Sequence, residues 1–483
     1  MIEINWEKYL DFDAQTPPPG MREHIFVEGT PYEMGRQYGS QTKEMIKRNF
    51  CLVAGDALKS YTREQVADRL AVLCADIEDK APEIHDWYRG IADGAGMTYG
   101  EIALINMQLW FSIPEMMCST IAARGEATES GKTIAGVNGD ITYNMSGYGV
   151  TMIAFPEKGN AFVTLPQLAG QMGANFAMNE KGLIVTFDGG EAELDEDTEF
   201  GFADFISSMV VAVSRCNNAV QAEETIKGLG VACGWIYLLA DATGDLRILE
   251  HTSSRDLTRF PGDYGEKNYI HAANHFLDPD MRRSSLAREL NLDSYLRYDT
   301  EEQLLREKLG TLTLENMMDI LACPDSWDGE TWSRNLWGVE ESNYTPEMRA
   351  PDFRTGTRGF GVAEDAEAYI LHGTADTAVS YMPESMGKYA KIVIRHEPAE
   401  VLEHMEEDAM MAAWEAARRL SEEGTASKEQ LQILDEAKKH IYAGKNYLAK
   451  INIYNTFDAE AARINSGYAA SEFEYAYVMA QTV

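Results

Sequence analysis

The hydrophobic pattern of this chain changes period part-way along it. In the N-terminal third the apolar positions recur at helical spacing. Thr30 stands where a cap would, Pro31 at a first helical position and Glu33 where it closes a capping box, so a long helix is expected to follow. Further helical patterns run through Arg63 to Ala92 and Thr98 to Leu109, punctuated by Gly94 and Gly96. From Cys118 to about Leu249 the apolar runs are instead short, β-branched or aromatic, and separated by Gly, Asn and Asp. Thr133 to Val137, Val150 to Phe155, Gly182 to Phe187, Trp235 to Leu239 and Leu246 to Leu249 are expected strands.

Phe202 to Arg215 and Ala219 to Leu229 return to helical spacing between those strands. More strands are expected at Asn268 to Ala273, Gly359 to Val362, Ala368 to His372 and Lys391 to Arg395, with helical segments between Met281 and Leu321. Helices inserted between stretches of sheet, rather than alternating with every strand, favour a layered α+β arrangement over a doubly wound one. After Pro398 the chain is rich in Ala, Glu, Leu and Met, and Val401 to Leu420 and Lys428 to Leu448 read as a helical appendage. Its acidic residues Glu403, Glu406, Glu407 and Asp408 read as a solvated face.

Charge narrows the functional classes. The chain carries 42 Lys and Arg against 78 Asp and Glu, a net charge of −36, which repels phosphate backbones and anionic lipid. Nucleic acid is therefore not an expected partner. Met1 to Asp13 has acids where a secretory signal has Lys or Arg, and no apolar run reaches the length of a membrane span, so the expectation is a soluble cytoplasmic protein. The six cysteines show no CxxC spacing and fit neither a disulfide framework nor a zinc knuckle.

Cys118 is set apart by its surroundings. Cys118 to Ala123, a turn-like Glu126 to Lys132, and Thr133 to Asp140 form a hairpin whose turn near residue 130 brings Cys118 close to Asp140 across the strands. A bare thiol, with pKa about 8.5, is a poor nucleophile at neutral pH, and no histidine is near it in sequence. Cleavage between Met117 and Cys118 would free an α-amino group of pKa about 7.7, able to take the thiol proton, with Asp140 stabilising its charged form. The pattern points to an N-terminal nucleophile.

Five fragments in order carry a family resemblance: Gly29-Thr-Pro-Tyr-Glu-Met-Gly-Arg-Gln-Tyr-Gly39, Cys118-Ser-Thr, Gly136-Val-Asn-Gly-Asp140, Met178-Asn-Glu-Lys-Gly-Leu183 and Ala273-Asn-His-Phe276. Over roughly residues 26 to 397 the chain resembles the acyl-coenzyme A:6-aminopenicillanic acid acyltransferase family of N-terminal-nucleophile hydrolases, related to choloylglycine hydrolases. The resemblance implies a self-cleaving precursor, a four-layer αββα sandwich, and attack on linear amides through a thioester. It implies Cys118 as nucleophile, Asp140 as the group that orients or charges its amine, and Asn274 as oxyanion donor. The domains are then 1–117, freed as a separate chain; 118–397, the catalytic core; and 398–483, the helical extension. Gly139 replaces an aromatic residue found in relatives, and Val137 an Arg of choloylglycine hydrolases, which argues against bile-salt specificity.

Plainer roles stand beside these. Asp140 fits a turn residue, Asn274 a satisfier of buried backbone, His275 a packed ring and Asn179 to Leu183 a turn, while Arg354 and Arg358 fit salt bridges or a substrate carboxylate. The functional expectation is hydrolysis of a small N-acyl or peptide-like amide, with no cofactor or metal, and with the cleaved N-terminal chain and a homo-oligomer as partners. The alternatives are an acyltransferase that passes the acyl group to an amine, and a non-catalytic relative serving as an interaction module.

Overall fold

A computed structural model of the chain describes residues 2–6, 23–107, 117–142, 149–190, 192, 205–231, 233–285, 287–288, 291–321, 323, 326–333, 353–371, 389–393, 399–424, 426–454, 459–481 and 483. The side chains of Met117, Asp140, Arg354 and Arg358 lie outside the described set. The chain divides into two compact units, Met1–Glu364 with Thr374–Ser385, and Asp365–Gly373 with Met386–Val483.

The first unit is built on two sheets. An eight-stranded sheet runs β1 (Glu23–Gly29), β4 (Val150–Pro156), β5 (Phe162–Thr164), β6 (Phe176–Asn179), β7 (Ile184–Gly189), β8 (Trp235–Ala240), β9 (Leu246–His251) and β10 (Asp256–Arg259). In the second sheet β11 (Tyr269–Ala272), β2 (Met117–Ala123), β3 (Ile134–Thr142) and β14 (Phe353–Val362) lie side by side. A short ladder joins β12 (Ser326–Trp327) to β13 (Trp332–Ser333). The sheets face each other, with β2 and β3 over β7, β14 over β6 and β11 over β9. The Thr120 and Thr186 hydroxyls meet between them at 2.5 Å.

Helices cover both outer faces. α6 (Phe205–Arg215) and α7 (Ala219–Leu229) pack on the eight-stranded sheet, and α8 (Leu292–Glu307) and α9 (Leu314–Leu321) on the second. Strands covered on both faces have no solvent side, so β4, β6 and β8 are buried along their whole length and read as continuous apolar runs. In β7, Val185 and Phe187 join the helix-side core. Strand alternation then turns Thr186 and Asp188 towards the second sheet.

The N-terminal third holds α1 (Pro31–Gln41), α2 (Lys43–Ser60), α3 (Arg63–Lys80), α4 (Pro82–Ala95) and α5 (Tyr99–Asn106). The expected capping box is present, with Thr30 and Glu33 hydrogen-bonded reciprocally, but the helix ends at Gln41 and a new one starts. The expected helix over 63–92 is also two, because Pro82 suits a first helical position and pushes Ala81 out of the helical region, to φ −142°. Glycine sets the approach of α1 to α4: a Cβ on Gly90 would lie 2.1 Å from the Tyr32 carbonyl oxygen, and one on Gly35 2.2 Å from that of Trp87. The strand β1 was not anticipated. It pairs in parallel with β4, from Glu23 opposite Val150 to Gly29 opposite Pro156, so this helical third also supplies an edge of the main sheet.

The second unit contains β15 (Glu367–Leu371) and β16 (Tyr389–Val393), paired antiparallel, and three helices, α10 (Ala399–Glu423), α11 (Lys428–Tyr454) and α12 (Ala459–Gln481). These helices have an apolar core of their own, including Leu402, Ala416, Leu434 and Phe473. The C-terminal helical expectation holds, with a third helix added.

Candidate active site

Cys118 is the second residue of β2 and is buried. Its backbone N–H donates to Asn274 Oδ1 at 2.8 Å, across 156 positions of sequence. Asn274 follows β11, the strand antiparallel to β2, so the pairing of Ala272 with Thr120 carries the chain to that point. Oδ1 also accepts from Arg297 Nη2 at 2.7 Å, and Nδ2 donates one hydrogen to the Gly189 carbonyl at 2.9 Å. Two donors on one side and a carbonyl on the other fix the orientation of the amide. The second Nδ2 hydrogen is the one suited to an oxyanion.

The segment around Asn274 is clamped. Phe276 packs its ring where Gly190 and Gly234 leave room, since a Cβ on either would come within 3.0 Å of that ring. The Phe276 N–H donates to Ser285 Oγ, and the Leu277 and Asp278 N–H groups donate to the Glu250 carboxylate. Glu250 in turn holds Arg259 Nε at 2.8 Å, and both side chains are buried. Burial pushes the Glu250 carboxyl up, against the pull of Arg259 and the two N–H groups.

Arg297 escaped the sequence reading. From α8 its guanidinium donates to the Cys118 carbonyl, to Ser119 Oγ at 2.9 Å and to Asn274 Oδ1. Ser294, Arg297, Tyr298, Glu301 and Glu302 lie on one helical stripe of a segment expected only to be helical, with Ser294 and Glu301 buried and the other three half-buried. Below Arg297 the same stripe holds His271, whose Nε2 lies 3.0 Å from Glu302 and whose Nδ1 lies 3.6 Å from Glu301. Burial lowers the His271 pKa, but these two carboxylates outweigh it and hold the ring above the ordinary value.

The remaining candidates separate clearly. His275 is a packed ring, stacked on Tyr295 at 3.8 Å with Nδ1 2.7 Å from Ser294 Oγ, and burial followed by the Arg297 charge lowers its pKa to about 3. Asn179 acts as a turn residue: Oδ1 accepts from the Lys181 and Leu183 N–H groups and Nδ2 donates to the Val213 and Cys216 carbonyls. Cys51 and Cys233 are pushed up by burial, to about 11 and about 12, as inert thiols are. The β2–β3 register places Gly139 opposite Cys118 and Asp140 opposite Met117, one residue from the symmetric expectation. The Asp140 carboxylate itself falls outside the described residues, as do the side chains of Arg354 and Arg358. Among the described residues no helix is long and apolar enough to cross a membrane.

Two facing sheets with an outer helical layer on each form the expected four-layer αββα sandwich, and Cys118 stands near the start of an inner strand. The family model for acyl-coenzyme A:6-aminopenicillanic acid acyl-transferase matches residues 127–357, just under half of the chain, in agreement with the resemblance carried by the short motifs. The match begins nine residues after Cys118 and includes Asp140 and Asn274.

An uncharacterized protein of Archaeoglobus fulgidus is 24% identical over a 356-residue alignment that covers 62% of this chain and 57% of that one, so the chain spans little more than half the length of this relative. A mutant of the conjugated bile acid hydrolase of Clostridium perfringens shares 12% identity at a TM-score of 0.34, over 53% of this chain and 89% of its own. Penicillin V acylase of Agrobacterium tumefaciens shares 10% at 0.26, over 53% and 74%.

Proposed function

We propose that this chain is a precursor that cuts itself between Met117 and Cys118 and then hydrolyses small N-acyl or peptide-like amides. The observation that carries the reading is the hold on Cys118: its N–H on Asn274 Oδ1 and its carbonyl on Arg297 keep the first catalytic residue fixed on both sides. In the cut, the Cys118 thiol attacks the Met117 carbonyl carbon, the C–N bond breaks, and water hydrolyses the resulting thioester. The products are chains of 117 residues and of the remaining 366. They stay together in this reading, because β1 is hydrogen-bonded along β4 and α1 to α5 share the helix-side core.

In the mature enzyme the new α-amine takes the thiol proton, and sulfur attacks the amide carbon. Asn274 Nδ2 donates its second hydrogen to the oxyanion. The α-ammonium returns a proton to the leaving nitrogen, and water releases the acid from the thioester. Asp140 assists by charge. The family description favours a second reading, acyl transfer to an amine, which shares every step up to the thioester. Hydrolysis needs only water, at about 55 M in bulk, whereas transfer needs a pocket that orients an amine and excludes water.

One experiment tests both. An activated acyl ester mixed with the purified protein should leave one acyl group on the 366-residue chain, absent in Cys118→Ala. A processed protein that takes up no acyl group at Cys118 contradicts the enzyme reading. With millimolar amine present, free acid is the expected product, and predominant new amide makes the protein an acyltransferase.

A further inference from the structure

Asp188 is a fully buried carboxyl near the end of β7, and neither of its oxygens accepts a hydrogen bond from any described residue. A buried carboxyl without a donor is a rare arrangement and calls for a reason. Its position supplies one. Thr186, on the same face of β7, touches Thr120 of β2 at 2.5 Å. Two residues further along each strand, at the same end of the sandwich, stand Asp188 and Cys118. Asn274 confirms that end independently, since it bridges the Cys118 N–H to the carbonyl of Gly189, the neighbour of Asp188. The charged groups acting on Asp188 come from α8, Glu301 and Arg297, and Arg297 is the side chain that grips Cys118. Directly opposite Cys118 on β3 stands Gly139, which offers no side chain of its own.

Before cleavage the Cys118 nitrogen is an amide with one hydrogen, and Asn274 Oδ1 accepts it. Cleavage turns that nitrogen into an amine with two hydrogens, or three when protonated. We infer that Asp188 is the acceptor for the α-amine that cleavage creates at Cys118, a positioning residue that becomes paired only in the mature enzyme. The inference rests on the processing reading above and extends it. In the uncut chain, burial above all, with Glu301 adding and Arg297 opposing, holds the Asp188 carboxyl well above the usual carboxylate range, so it waits as a neutral acid. When the amine forms, the proton passes from the Asp188 carboxyl to nitrogen, giving a carboxylate beside an ammonium at rest; the ammonium loses that proton, which sets the acid limb, before the nitrogen takes the thiol proton. No other reactant is needed.

The test compares wild type with Asp188→Asn as full-length proteins, by intact mass and by the pH profile of kcat/KM on the acyl ester. An adjacent carboxylate raises the pKa of an ammonium, by about 1 unit or more at close range. Processed Asp188→Asn should therefore show its acid limb displaced to lower pH by about that amount, with turnover reduced about 10-fold or more. A purely structural residue would change stability and leave the limb where it was, and that result overturns the inference. If Asp188→Asn does not fold, the wild-type α-amine, followed by NMR with 15N-labelled cysteine, decides: titration above the ordinary range of about 7.7–8.0 is expected, and titration at or below it is contrary. A wild-type chain that stays at 483 residues while binding the acyl group overturns processing and this inference together, whereas a cut wild type with an unmoved limb overturns the inference alone.

Discussion

Helix α8 serves two clusters of buried polar side chains, and they differ in how well their members are matched. Around His271 each charge faces an opposite one: the ring lies 3.0 Å from Glu302, and beside it Arg259 is held by Glu250 at 2.8 Å, while Arg259 Nη1 faces Glu266 at 3.8 Å and His271 Nδ1 faces Glu301 at 3.6 Å as ion pairs beyond hydrogen-bond distance. Around Cys118, Asn274 is shared between a backbone N–H and Arg297, and Asp188 accepts nothing from the described residues. A matched cluster fixes geometry; an unmatched one keeps capacity for groups that arrive later. The matched cluster also holds the unmatched one, because Glu250 anchors the backbone just after Asn274.

The comparison predicts different kinds of damage. Asn274→Ala, folded and processed, should lose about 100- to 1000-fold in turnover with little change in melting, as loss of one oxyanion donor does; near-wild-type turnover would remove Asn274 from the chemistry. Arg259→Met should do the reverse. Leaving Glu250 buried without its guanidinium costs about 3–5 kcal/mol of stability, measurable by urea unfolding, and a stability equal to wild type would show that the pair is not a clamp.

The smallest effect expected is that of His271→Leu, and it carries a sign. The folded-state pKa of His271 is raised, so its pairing contributes fully below the unfolded value of about 6.5 and is lost as pH rises through the folded value. Glu302 is lowered: burial pushes it up, but the His271 hydrogen bond and charge outweigh this, so its share is lost only as pH falls through its own folded value. The stability gap between wild type and His271→Leu should therefore be widest on the mildly acidic side and shrink towards alkaline pH. A gap independent of pH would mean that the ring acts by packing alone.

Much of this arrangement could be read from the chain. Cys118, the hairpin it opens and the apolar runs of β4, β7, β8 and β9 follow from local pattern, and Asn274 from a short motif after an expected strand. What escaped depends on packing between distant segments. Residues 23–29 became a strand because β4 offers them a parallel edge, which nothing in their own composition announces. Arg297 lies in a segment expected only to be helical, and nothing local shows that the fold brings its side chain to Cys118. Asp188 falls one residue beyond the expected strand Gly182 to Phe187, and only the facing sheet gives it a site. The long helices around residues 42 and 81 were divided by local geometry at Thr42 and by Pro82.

Everything proposed for the Cys118 cluster depends on a free amine existing there. Intact-mass measurement with N-terminal sequencing of the purified full-length protein tests that most directly. The account predicts two co-purifying chains, of 117 and 366 residues, with Cys118 as the new first residue, and one uncut chain when Cys118 is replaced by Ala. A single uncut wild-type chain in an active preparation, or a cut at another bond, would contradict it.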